Sequence, residues 1–330
     1  MPPLVSICCV TYNHAATIAQ ALESFLAQRG DVPIEVLVHD DASTDGTEDI
    51  LRRYMADYPD VIKPLFETEN QYQKGVAMDA TFNFPRARGQ YIALCEGDDF
   101  WCDPHKLQTQ LDAMAAHPAC TFCFTNGFVR DAATPGAQDR PFLPYYPQEA
   151  AFYTPETREY DLSEITRLTF IPTASFLFPR EALDRIPRAL LLAPCPSGDL
   201  RLKLLLTALG KALYVHAFTC VYRLNAGSSV MAHWGAEAAE RTRLRCMQTL
   251  AMLQGVDAFS RGAHHEALQT LMDGQRRVLL EAAPSRALLA DAHMRRVYRG
   301  LPLLRRVKFW GKTILPQRFF RRVKALLRRG

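Results

Sequence analysis

Apolar residues follow two rhythms along the first 230 positions. Short unbroken apolar runs bounded by turn residues predict strands at 4–13 (LVSICCVTYN), 33–43 (PIEVLVHDDAS), 90–99 (QYIALCEGDD), 121–129 (TFCFTNGFV), 173–179 (TASFLFP) and 212–224 (ALYVHAFTCVYRL). Between them, apolar residues recur at helical spacing. Residues 14–28 place Ile18, Leu22, Phe25 and Leu26 on one face, and 43–59 read as a capped helix. At 103–118, Pro104 falls in a first turn after the cap residue Asp103, with Leu107, Leu111 and Met114 in register. Residues 180–186 predict a short helix, and 197–210 a helix opened by Ser197, Gly198 and Asp199.

Strands alternating with helices predict an α/β fold with a mostly parallel central sheet. Ligands bind such sheets at the carboxyl ends of the strands. Three polar clusters fall at such ends: Thr11, Tyr12 and Asn13; Asp40 and Asp41; and Glu96, Asp98 and Asp99. The predicted division is one domain at 1–230, a helical extension at 231–294 and a basic amphipathic tail at 295–330. Residues 131–160 hold five prolines among many aromatics and predict a long irregular loop, either a surface insertion or a cover for an acceptor.

Charge changes the picture at the end of the chain. The 330 residues carry 39 Lys+Arg and 35 Asp+Glu. Positions 292–330 hold 13 of the basic residues and no acidic one, which leaves 26 against 35 elsewhere, a net of −9. An acidic body with a basic tail calls for an anionic partner of the tail. The nine cysteines are odd in number and several lie in strand-like runs, so reduced, buried thiols in a cytosolic protein are expected. Cys120 and Cys123 have CxxC spacing inside a predicted strand with no second Cys/His pair, which favours core packing over zinc. The N-terminus reads as a first strand and not a leader peptide. No run of 18 apolar residues predicts a spanning helix.

Three carboxylates within four residues repel one another unless something binds them. One cap residue suffices for the following helix, so capping does not account for Glu96, Asp98 and Asp99 together. Hard oxygen ligands suit Mg²⁺ or Mn²⁺, commonly held by one or two carboxylates plus substrate phosphates. No GxxxxGK[ST] loop occurs, and no GxGxxG follows the first strand. Phosphates held through a metal and not a glycine cradle point to a nucleoside diphosphate.

The stretches VSICCVTYNHAATIAQALESFLAQ, EVLVHDDASTDGT and ARGQYIALCEGDDFWCDPHKLQTQLD, in this order and spacing, resemble the family 2 glycosyltransferases of GT-A (Rossmann-like) fold. The resemblance is strong over 4–128 and continues to about 229. The EGDDFW form is similar to bacterial enzymes that build cell-surface polysaccharides. The resemblance implies a nucleotide-sugar site in which Asp41, with Asp40 beside it, contacts the nucleoside and Thr11, Tyr12 and Asn13 pack on the base. It implies Asp99 as the more direct metal ligand, Asp98 as a ribose, diphosphate or metal contact, Glu96 at a position where some members carry Asp, and Trp101 at the acceptor or in the core. It further implies Asp199 as the catalytic base, against a plain helix-capping role. Many relatives carry Tyr-Arg-x-His where this chain has Tyr222, Arg223, Leu224 and Asn225, so Arg223 and Ser228 stand as diphosphate-side candidates.

The resemblance thus implies an inverting, metal-dependent transfer from a nucleotide-diphosphate sugar to a hydroxyl of a glycan or lipid-linked acceptor. A sugar nucleotidyltransferase and a non-catalytic nucleotide-sugar-binding subunit remain alternatives. In the tail, Phe319, Phe320, Val323, Leu326 and Leu327 form one stripe among Arg and Lys, the pattern of a helix lying in a membrane interface. An anionic membrane surface engaged by 301–330 is expected, at the cytoplasmic face. Packing of the tail on protein is the competing reading, and no nucleic-acid motif occurs.

Overall fold

The computed structural model describes residues 2–134, 136, 138–225 and 239–314, with the backbone alone at 312 and 314. The predicted tail beyond 314 and Ser228 lie outside the described residues.

The first strand, β1 (Val5–Thr11), is buried on both sides because every side chain of its apolar run meets a packed layer. β2 (Ile34–Asp40) pairs parallel to it, placing Thr11 opposite Asp40. α1 (Ile18–Leu26) connects the two and buries Ile18, Ala21, Leu22 and Phe25. α2 (Thr47–Asp57) leads to β3 (Ile62–Phe66), a parallel edge strand containing Pro64, which an edge tolerates. β4 (Tyr91–Leu94) pairs parallel on the other side of β1. The two-residue β5 (Phe100–Trp101) and α3 (Lys106–Ala116) follow. α3 starts later than expected: Asp103 accepts the His105 backbone N–H at 2.8 Å instead of capping a helix from Pro104.

Beyond this parallel half the sheet is mixed. β6 (Cys120–Asp131) and β10 (Lys211–Leu224) are parallel to each other, while β9 (Leu177–Pro179) runs antiparallel between β4 and β6. The path is β3-β2-β1-β4-β9-β6-β10-β5, with β7 (Arg140–Pro141) on β6 and β8 (Arg158–Tyr160) on β10. The proline-rich stretch is therefore irregular but pinned by two short strands. The short helices α4 (Leu162–Ile165) and α5 (Arg188–Leu192) precede α6 (Gly198–Leu209). The run 180–186 is a 3₁₀ turn.

Side chains alternate between two cores, one on each face of the sheet. Val5, Ile7, Cys9, Val36 and Val38 face α1, α2 and α3. Cys8, Leu37, Ile92, Leu94, Phe122 and Phe124 face the other way, toward α6. That second core runs on into α7 (Ala239–Phe259), α8 (His265–Ala282), α9 (Ala292–Gly300) and α10 (Leu303–Ile314) through Cys246, Leu253, Met272, Val297 and Phe309. All nine cysteines are free thiols, and Cys120 and Cys123 are buried in β6. Among the described residues no helix is long and apolar enough to cross a membrane.

Candidate active site

Parallel pairing brings the polar strand ends to one edge. Asp41 donates its backbone N–H to the Thr11 carbonyl at 3.0 Å, and Gly97 donates to the Val10 carbonyl at 2.9 Å. The loops after β1 and β2 are laced together. Asn13, at φ 55°, donates its N–H to Ser43 Oγ at 2.8 Å and accepts the Thr44 N–H on Oδ1 at 2.8 Å. Asn tolerates that left-handed backbone better than most residues. His14 N–H donates to Thr47 Oγ1, and Ala15 N–H to Asp45 Oδ2, both at 2.9 Å.

Asp40 and Asp41 serve this scaffold. Asp40 is fully buried and accepts Ser43 Oγ–H at 2.5 Å, so its carboxylate shapes the turn. Asp41 accepts the backbone N–H groups of Gln71 and Tyr72 at 2.7 and 3.0 Å and thereby holds the 70–74 turn against the end of β2. Thr11 is buried beneath the edge, while Tyr12 is half-buried at it.

The third cluster is the most strained electrostatically. Glu96 is half-buried, and burial followed by the repulsion of Asp98 pushes its carboxyl up to about 8. Asp99 is 3% exposed and likewise raised by burial, Asp98 and Glu96, although its Oδ1 accepts the Arg223 backbone N–H at 2.9 Å. Arg223 also donates to the Asp98 carbonyl and to Gln20 Oε1, and lies 4.7 Å above the Phe100 ring. It thus locks β10 onto the carboxylate loop. Gly97 makes the close approach possible: a Cβ there would lie 2.7 Å from Thr11 Oγ1 and 2.9 Å from His14 Nδ1. Neither of those buried atoms has a hydrogen-bond partner. His14 Nε2 lies 3.9 Å from Asp98 Oδ2.

Asp199 acts on this cluster electrostatically from far along the chain. It sits in the first turn of α6 behind Ser197 at the N-cap, whose side chain makes no capping hydrogen bond. Burial raises its carboxyl; the Leu200 N–H and the Lys203 ammonium oppose that. Its charge in turn raises Glu96, which puts the two acids within electrostatic reach. Of the two readings of Trp101 the packing follows the core one: it is 4% exposed, donates Nε1–H to the Ala174 carbonyl at 2.8 Å and packs on Phe25. Asn225, at φ 60°, donates to Asp131 Oδ1 at 2.9 Å.

Three site residues escape sequence reasoning. Asp79, in the irregular turn before β4, has its carboxyl raised to about 6 by burial and also acts on Glu96. His14 follows the β1 cluster directly, which is the signal that could have found it. Lys203 lies four residues after Asp199, a helical spacing that could have flagged it; burial lowers its ammonium to about 8.

Among the described residues no three His, Cys, Asp or Glu side chains form a ready-made metal cage. The donor set fits a hard cation completed by phosphate oxygens: Asp98 and Glu96 are half-buried carboxyl groups at the edge, next to the buried Asp99.

Residues 6–186 match glycosyl transferase family 2. An uncharacterized protein of Mycobacterium tuberculosis is 37% identical over 186 residues, 56% of this chain and 49% of that protein. The Escherichia coli UDP-Glc:alpha-D-GlcNAc-diphosphoundecaprenol beta-1,3-glucosyltransferase WfaP is 33% identical over 126 residues, 38% of this chain and 47% of its own length. The chain thus spans about half the length of these curated relatives. Among solved structures, the mannosyltransferase PcManGT of Pyrobaculum calidifontis, in complex with GDP-Man and Mn2+, covers 94% of this chain and 84% of its own with a TM-score of 0.51 at 20% identity, a likeness of GT-A fold. The matched segment takes in more than half of the chain with all three strand-end clusters, and the chain belongs to glycosyl transferase family 2.

Proposed function

We propose that this protein transfers a glycosyl unit, with inversion, from a nucleoside-diphosphate sugar to a hydroxyl of a glycan or lipid-linked acceptor in polysaccharide assembly at the cytoplasmic face of the membrane. The observation that carries the reading is the gathering of the strand-end clusters at one edge, where Asp41 donates to the Thr11 carbonyl and Gly97 to the Val10 carbonyl, with the Asp199 charge felt at Glu96. The nucleoside end lies at Tyr12 and at the 70–74 turn that Asp41 orders. Asp98, and Asp99 through its second oxygen, would hold Mg²⁺ or Mn²⁺, which when bound neutralises charge on the diphosphate. Asp98 is the more open of the two and is the better first ligand.

Asp199 accepts the proton of the attacking hydroxyl. Burial raises its carboxyl, which makes it a stronger base than an ordinary aspartate, while the Leu200 N–H and Lys203 favour its ionised form. Arg223 fixes the carboxylate loop by its backbone N–H on the Asp99 carboxylate and its guanidinium on the Asp98 carbonyl. Against a nucleotidyltransferase stands the lack of a Gly-rich, Arg/Lys-containing stretch after the first strand, where this chain reads VTYNHAATI, and against a non-catalytic subunit stands the intact Asp199. The WfaP name supports a lipid-linked acceptor, and the PcManGT complex supports a nucleotide sugar with a metal.

The test is a panel of UDP-, GDP- and dTDP-sugars with Mn²⁺. A nucleotide at about 100 times its Kd stabilises by about 2.7 kcal/mol, readable as a thermal shift. The stabilising donor should then be turned over, and Asp199→Asn should bind it equally but react at least ~10²-fold more slowly. Undiminished turnover by Asp199→Asn removes the base from the mechanism.

A further inference from the structure

The last described helix, α10, turns four large apolar side chains outward. Leu303, Leu304, Val307 and Trp310 are 68, 77, 60 and 37% exposed. They fall at i, i+1, i+4 and i+7, a single stripe along the helix. The side that docks on the protein is a different one: Phe309 is 2% exposed, lies 5.2 Å from the Tyr298 ring and joins the core of α8 and α9. Single exposed apolar residues are ordinary, but four in one stripe mark an interaction surface.

Its surroundings are basic. α9 and α10 together contribute Arg295, Arg296, Arg299, Arg305, Arg306 and Lys308 and no acidic residue within them. Of these, Arg296 pairs with Asp273 at 2.7 Å and Arg305 with Glu281 at 2.5 Å. A second copy seated on the stripe by two-fold symmetry would bring the same basic helices together, which like-charge repulsion disfavours. At 12 residues the helix spans roughly 18 Å, short of the ~30 Å hydrocarbon core, so it can lie on a bilayer but not cross it.

We propose that the outward stripe of α10 is a membrane-docking face, lying in the interface of a bilayer rich in anionic phospholipid, with Leu303, Leu304, Val307 and Trp310 entering the acyl boundary and the basic side chains meeting headgroup phosphates. It deepens the proposed function only in saying where the acceptor would be met; the docking itself is independent of sugar transfer. The site is formed by α10, upstream of the apolar stripe at 319–327.

Full-length protein is sedimented with phosphatidylcholine vesicles with and without phosphatidylglycerol. Binding should require the anionic lipid and be reversed by salt. Leu304→Glu/Val307→Glu, a surface change that leaves Phe309 in place, should weaken it at least ~10-fold. Phe319→Glu/Phe320→Glu should bind far better than that variant, and brominated lipid should quench wild-type fluorescence more than that of Trp310→Phe. No vesicle binding by the wild type, equal binding to uncharged vesicles, or undiminished binding by Leu304→Glu/Val307→Glu overturns the proposal. Self-association without lipid binding that this same variant abolishes also overturns it, as an interface between copies. The thermal shift by the nucleotide-sugar panel with Mn²⁺ is followed in parallel. Vesicle binding with no shift by any nucleotide sugar leaves the docking face standing and removes the transferase reading.

Discussion

At the scale of single residues, the site is governed by buried charge. Lys203 donates to the carbonyls of Leu168 and Thr169 at 2.7 and 3.2 Å, and its ammonium holds the Asp199 carboxyl down against burial. Removing that charge in Lys203→Met should raise Asp199 further. The acid limb of the kcat/KM profile should therefore move to higher pH, with the alkaline side little changed. Two carbonyls lose their donor, so the melt should also fall, by about 1–3 kcal/mol for each group left unsatisfied. A lowered melt with an unmoved pH profile would separate a structural lysine from one that positions Asp199. Glu96 gives a second pH signature. Its folded carboxyl titrates near 8 and its unfolded one near the ordinary 4.5, so between these values the folded state holds the extra proton. Stability of metal-free protein should fall as pH rises through that window. Mn²⁺ should stabilise more at the alkaline end than at the acid end, and Glu96→Gln should flatten the pH dependence of the melt. A Glu96→Gln melt with the wild-type slope would contradict the assignment.

At the scale of elements, the proline-rich stretch shows how a loop with no repeating pattern can be fixed. Glu149 is 1% exposed and accepts the N–H groups of Thr169 and Tyr146 at 2.8 and 3.2 Å. Asn126 on β6 clamps Leu143, accepting its N–H at 2.8 Å and donating to its carbonyl at 3.3 Å. Glu149→Ala should remove the acceptor of two part-buried N–H groups, cost about 1 kcal/mol per lost bond and open the 141–155 segment to proteolytic nicking. Unchanged nicking would mean the loop is held elsewhere. Strands and helices with a strong period were legible in the sequence because one face of each must be apolar. β3 was not, since Pro64 interrupts its pattern, and the two-residue β5 is too short to carry a period. The polar loop holding Asp79 shows none either.

At the scale of the whole molecule, the C-terminal helices complete a core begun by the sheet. Cys246, Leu250, Leu253 and Val256 of α7 are buried in the same cluster as Phe122, Leu204 and Tyr214. A chain ending near 238 would bare that surface. It should aggregate or lose its sharp thermal transition, whereas the full chain should unfold in one step by calorimetry. Two resolved transitions in the full chain would instead show that the extension folds separately.

The sequence by itself determined which residues gather at the site edge. Apolar runs long enough to be buried on both faces must pair in parallel through helical crossovers, and that geometry sends the ends of β1, β2 and β4 to one side. Hence the clusters at 11–13, 40–41 and 96–99 could be grouped before any fold was known. Only the tertiary structure decided what each member does there. Asp40 and Asp41 look alike in sequence, yet Ser43 takes one carboxylate and the distant amides of Gln71 and Tyr72 take the other. Trp101 turned inward because Ala174, 73 residues away, offers its carbonyl. Phe309 and Trp310 are neighbours in one aromatic pair, yet Phe309 enters the core on Tyr298 while Trp310 stays 37% exposed beside the Arg286 guanidinium. Periodicity fixes where a side chain points relative to its own element; which partner it finds depends on elements that only folding brings near.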